Sequence, residues 1–209
     1  MVSNPPRTAH RVVVPFPEPV GEIPAATKCR STVLLASLQA LREHGCFEAY
    51  RRAAQPDVLD AIQSSGVGSW LPIDVARAHY ETCDGLGISL LEQLEIGGAV
   101  VRRLQQTLLG TLTRFARATR VVSPLVALAR FNELHARSWV GSAGQVVELG
   151  PKDVRLDVVG LSLVEIPYFR TSYRGFLRAG AQLFADHAFV TEVERELHSH
   201  AVSYRFAWV

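Results

Sequence analysis

With 209 residues, 48% hydrophobic content and a net charge of +2, the chain can bury a core that needs no disulfide or metal staple. Its 22 basic residues are dispersed among 20 acids, so there is no concentrated basic stripe for phosphate-backbone binding, and nucleic acid is not expected as a partner. Cys29, Cys46 and Cys83 form neither a zinc-type CxxC pair nor a disulfide framework, and no charged leader or bilayer-length apolar run is present; the expectation is a cytoplasmic protein without a membrane span.

Six of the eleven prolines precede residue 25. Residues 1–28 therefore read as an extended arm that carries Val12, Val13, Val14 and Phe16 over another surface and that, as strand, can only be an edge. The remainder, 29–209, reads as one domain with a helical half (29–140) and a sheet half (141–209).

The helical half opens with a predicted helix over 33–44, capped by Ser31 and stopped by Gly45, with Leu34, Leu38 and Leu41 as its apolar stripe. Short helices are predicted over 47–54 and 56–63. Pro72 opens another through Cys83, and a long one over 89–120 has Val101, Leu104, Leu108, Leu112 and Phe115 in register, with Gly97 and Gly98 expected to break or kink it. Ser123 and Pro124 start the last helix of this half, whose apolar side carries Leu128, Phe131, His135 and Trp139.

The period then changes. Residues 146–149 and 154–158 read as strands joined by a turn at 150–153, followed by an amphipathic helix over 167–184 with Phe169, Phe176, Leu177 and Phe184 on its buried side and Gly180 allowing close approach to the sheet. Residues 187–193 and 201–209 supply two more strands, the last with Val202, Tyr204, Phe206 and Trp208 on one face. The predicted fold class is α+β: a helical layer packed on a four-stranded antiparallel sheet (ββαββ) with a crossing helix.

The segments SWLP (69–72), SP (123–124), RGFLRAGA (174–181) and YRFAW (204–208) together resemble a paralogous family of unknown function expanded in myxobacteria. More distantly, the chain is similar to the superfamily of haem nitric-oxide-binding, four-vinyl-reductase and TRAPP-subunit ligand-binding folds. That resemblance implies a pocket between helices and sheet. Haem sensors of this type carry a proximal histidine on the helix before the first strand, a place comparable to that of His135 in FNELHARSW; a core histidine with a satisfied ring nitrogen is the other, stronger reading of that position. They hold the propionates with Tyr-x-Ser-x-Arg, whereas YFRTSYR at 168–174 lacks that spacing, so the expectation is a chain with no cofactor and with haem disfavoured.

Other constellations are weaker. Arg170, Arg174 and Arg178 stand four apart on one helix and can clamp a carboxylate or phosphate, but a solvated polar face explains the same spacing. His79 with Cys83, and His198 with His200, have metal-compatible spacing without a third ligand. No nucleotide loop, nucleophile elbow or HExxH occurs. The expectation is a non-enzymatic small-molecule-binding or signalling module whose ligand, an unknown small molecule, lies against Trp139, Phe176, Ala179 and Tyr204, with Arg174 reaching any acidic group. Two alternatives stand beside it: an interaction module that dimerises or docks on a protein partner through the arm, and an enzyme with a scattered active site.

Overall fold

The computed structural model describes residues 10–104, 123–194 and 200–209. In chain order the strands are β1 (Arg11–Val14), β2 (Lys28–Arg30), β3 (Trp70–Pro72), β4 (Trp139–Val140), β5 (Ala143–Gly150), β6 (Asp153–Val159), β7 (Ala188–Val193) and β8 (Ala201–Trp208). The helices are α1 (Ser31–Glu43), α2 (Phe47–Ala53), α3 (Pro56–Ser64), α4 (Ile73–Asp84), α5 (Leu90–Leu104), α6 (Pro124–Leu128), α7 (Phe131–His135) and α8 (Pro167–Ala181).

The α+β class is observed, but the four-stranded layout is corrected. The main sheet has five antiparallel strands in the order β1-β5-β6-β8-β7. The fifth is β1, drawn from the proline-rich segment and added at the edge, where Arg11 faces Glu148 in register and forms an ion pair with it at 2.8 Å. A second, small sheet β3-β2-β4 ties the helical residues together. Its strands are two or three residues long, too short for a period-2 signal to register in sequence.

Alternation along β8 behaves as its sequence requires: Val202, Tyr204, Phe206 and Trp208 are all buried. They meet Val154, Leu156 and Val158 of β6 and, from above, Phe169, Tyr173 and Leu177 of α8 in one continuous core. On the opposite face, Ser203 is buried too, because its hydroxyl donates to the carboxylate of fully buried Asp157 at 2.7 Å, which also takes Nε of Arg155 at 3.0 Å.

Several expectations change at the helices. Ser31 is the first residue of α1 rather than its cap; its hydroxyl donates to Gly66 O at 2.9 Å. Gly45 does terminate α1, at φ +71°. Gly97 and Gly98 do not break α5 but lie buried within it. They admit α8: a Cβ on Gly97 would lie 1.8 Å from Ser172 O, and one on Gly175 would lie 2.0 Å from Leu94 O. Gly180, expected to allow the close approach, has nothing within 4 Å of its Cβ position. Helix α8 ends at Ala181, leaving Phe184 beyond it, and the helix expected from Ser123 to Trp139 is two short helices with Trp139 in a strand. Leu108, Leu112 and Phe115 lie outside the described residues.

Candidate functional site at the junction of helix and sheet

The site is built around α7. Asn132 fastens it to the sheet by reading the backbone of β5 as a neighbouring strand would: its side-chain amide donates to Gly144 O at 2.9 Å and accepts from Gly144 N at 2.8 Å. Gly144 can lack a side chain for a steric reason, since a Cβ there would lie 2.3 Å from the Phe131 ring. One turn later, His135 is buried, stacked on Phe131 at 5.1 Å between ring centroids and tilted against Trp139 at 6.4 Å. Desolvation lowers its pKa from 6.5 to about 4, so the imidazole is neutral at physiological pH.

From His135 a run of aromatic rings leads under α8. Trp139 meets Phe169 edge-on at 6.1 Å, Phe169 stacks on Tyr173 at 5.4 Å, and Tyr173 touches both Phe176 and Tyr204 at 5.9 Å. The Tyr204 hydroxyl donates to Arg170 O at 3.1 Å, which satisfies a polar tip in an otherwise apolar setting.

Of the residues singled out from the sequence, Trp139, Phe176 and Tyr204 thus belong to one chain of contacting rings, linked by Phe169 and Tyr173. Ala179 sits apart, at the α5 crossing: its Cβ is 3.6 Å from where a Cβ of Gly98 would stand. Arg174 is half-buried on α8. The arginine row is divided, because Arg170 donates to Val164 O at 2.8 Å and pairs with Glu192 at 3.3 Å.

His79 and Cys83 do come together, with Nε2 and Sγ 3.9 Å apart. Both ring nitrogens of His79 are nevertheless engaged, Nε2 with Ser37 Oγ and Nδ1 with the Tyr50 hydroxyl, each at 2.9 Å, and burial lowers its pKa to about 3. No group of three His, Cys, Asp or Glu residues is placed to hold a metal among the described residues. His198 lies outside them, and His200 contacts Glu165 at 2.7 Å.

Sequence reasoning missed Asn132, Ser142 and Tyr173. Tyr173 follows Phe169 by four residues, a spacing that would have found it. Asn132 and Ser142 bind backbone atoms brought near by the fold, for which the sequence carries no periodic signal.

No family model matches the chain, and no curated protein matches it. Among solved structures, the chain is similar in fold to an Fe(II), unliganded H-NOX protein variant from K. algicida, with a TM-score of 0.63 and 11% identity over 86% of this chain and 96% of that one. It is also similar to an oxygen-binding H-NOX domain related to soluble guanylate cyclases, solved as the oxygen complex (TM-score 0.53, 14% identity, 85% and 94% covered). A third similar structure comes from work on haem redox potential and porphyrin distortion (TM-score 0.54, 12% identity, 86% and 99% covered). At these identities the likeness establishes the fold alone, that of these H-NOX structures, and gives no support to the myxobacterial paralogous family. It also corrects the expectation of a chain without cofactor and with haem disfavoured. That expectation drew on the missing spacing at 168–174, whereas structures that share the fold come from work on haem.

Proposed function

We propose that this chain is a small-molecule-binding, sensor-like module whose cofactor is haem, with His135 as the iron ligand. The observation that carries the proposal is His135 itself: a buried imidazole, kept neutral by desolvation, on the helix directly before the sheet and held there by the Asn132 clamp. A neutral ring offers the lone pair that iron ligation needs, and a protonated one does not. Similar solved folds add the cofactor class.

The residue types suit the group, but the site as it stands is closed, with His135 Nε2 hydrogen-bonded to Ser142 Oγ at 3.1 Å. Phe131 and Trp139 fix the imidazole plane, and Phe169, Tyr173, Phe176 and Tyr204 offer apolar faces to a flat macrocycle. These rings touch one another, so a planar guest enters by parting them. Arg174, whose guanidinium is held by no ion pair among the described residues, supplies a cation for a propionate in place of the missing Tyr-x-Ser-x-Arg. Bound haem would supply an iron centre for a small gaseous ligand. The protein's part is to ligate, orient and exclude water, which makes the module non-enzymatic in this reading, with 29–209 as the ligand-binding domain working in the reducing cytoplasm. No helix among the described residues is long and apolar enough to cross a membrane. Docking through the arm is less favoured, since Arg11–Val14 already pairs with β5 of the same chain.

The test is titration of the protein with hemin. A saturable Soret band that shifts or weakens at least tenfold in affinity in His135→Ala supports the proposal; no saturable uptake, or an identical spectrum in the variant, overturns it.

A further inference from the structure

Ser142 stands in an unusual place. It is one of two non-glycine residues with positive φ among the described residues, at +65°, in the two-residue corner between β4 and β5. Its backbone N–H donates to Pro24 O at 2.8 Å, and its hydroxyl lies 2.8 Å from Val159 O and 3.1 Å from His135 Nε2.

A hydroxyl carries one proton. The Val159 carbonyl can only accept, so the Ser142 proton goes there. Toward His135 the same oxygen can then only accept, and the neutral imidazole must carry its proton on Nε2. His135 Nδ1 has no hydrogen-bond partner among the described residues, and keeps the lone pair. The Nε2 atom, farther from the backbone and so the nitrogen with the longer reach, is thereby withheld from any metal.

We infer that Ser142 is a positioning residue that acts as a latch on His135: its hydroxyl, oriented by Val159 O, holds the ring as the Nε2–H tautomer, and cofactor binding through Nε2 requires that this hydrogen bond be broken and the proton moved to Nδ1 or lost to solvent. The inference rests on the haem reading for its consequence, though not for the tautomer. The latch sets loading against the packing of the cofactor-free chain. It also joins the site to the residue 24–27 segment, since Pro24 O, Ala26 N and Thr27 N bond to Ser142, Gly160 and Val140 around the same corner.

Ser142→Gly is the informative variant, because glycine accepts φ +65° without strain while the hydroxymethyl group that carries the hydroxyl is removed. In the cofactor-free protein, nitrogen-15 NMR of the His135 ring should show the Nε2–H tautomer, and in Ser142→Gly that preference should be lost. In hemin titration the variant should bind at least threefold more tightly than the parent, because no hydrogen bond opposes Nε2. An Nδ1–H tautomer in the parent, or affinity unchanged or weakened in the variant, overturns the latch. If hemin fails to bind either protein, the haem reading falls, and the tautomer measurement alone decides: a preference lost in Ser142→Gly sustains the latch, and a preference unchanged removes it.

Discussion

Gly97 of α5 and Ser172 of α8 meet backbone to backbone: a Cβ on Gly97 would stand 1.8 Å from the Ser172 carbonyl oxygen and 2.9 Å from its Cα. No side-chain rotation relieves such a contact, so the two helices approach this closely only because residue 97 is glycine. The crossing places Phe169 and Tyr173 over Trp139 and Tyr204, which makes it the structural precondition of the proposed site.

Gly97→Ala should therefore destabilise the fold by ~3 kcal/mol or more, the upper end of the overpacking range, since backbone must move. Gly180→Ala provides the opposite sign. It sits in α8 with nothing within 4 Å of its Cβ position, so alanine should add roughly 0.5–1 kcal/mol from helix propensity alone. Urea unfolding of the two variants checks both; equal stabilities would mean that the helices do not cross as described.

Trp208 ends β8 with its ring in the core, 7% exposed and paired across the ladder with Ala188. Trp208→Ala should cost about 3 to 5 kcal/mol as a large-to-small core truncation. A melting temperature within a degree of the parent would contradict this packing.

The two halves of the fold were unequally legible in sequence. Period-2 alternation at Val202, Tyr204, Phe206 and Trp208 and period-3.6 spacing at Leu34, Leu38 and Leu41 identified strand and helix because burial selects residue type at each repeat. Gly97 was read for its low helix propensity alone. Its true role depends on a neighbour 75 positions away, which no local pattern encodes. Strands β2, β3 and β4 were missed for the same reason: their residues pair through backbone groups, and Arg30, which stacks on Trp70 at 3.6 Å and donates to Gly68 O and Arg137 O, gives no hint of that in sequence. At the site, His135 and Trp139 were legible from helical spacing although Trp139 proved to be strand. Ala179, picked out by its small size, lies at the α5 crossing, apart from the chain of rings.

Asn132 connects the candidate ligand to the sheet through two hydrogen bonds to one residue. Asn132→Ala leaves both the N–H and the carbonyl of Gly144 without that partner, so it should cost about 1–3 kcal/mol. It should also loosen α7: amide exchange at Leu134 and His135 should accelerate more than exchange in β6. Uniform acceleration across the sheet would show a general loss of stability and no specific clamp.

The two buried histidines give the fold a defined acid sensitivity. His79 and His135 have pKa values lowered by desolvation to about 3 and about 4, against 6.5 in an unstructured chain. Between pH 6.5 and about 4 the unfolded chain binds protons that the folded one refuses, so stability falls as pH falls through this window and stops falling, on their account, below about pH 3. Each group contributes a slope of at most ~1.4 kcal/mol per pH unit there. Denaturant midpoints measured from pH 7.5 to 4 should therefore decline, and more gently in His135→Gln, which removes one titrating ring from both states. Because His135 sits at the proposed iron site, hemin should raise the midpoints of the parent across this window without removing the decline, since the protons are taken up there by the unfolded chain. Midpoints independent of pH over this range would mean that both rings are reached by water in the folded state.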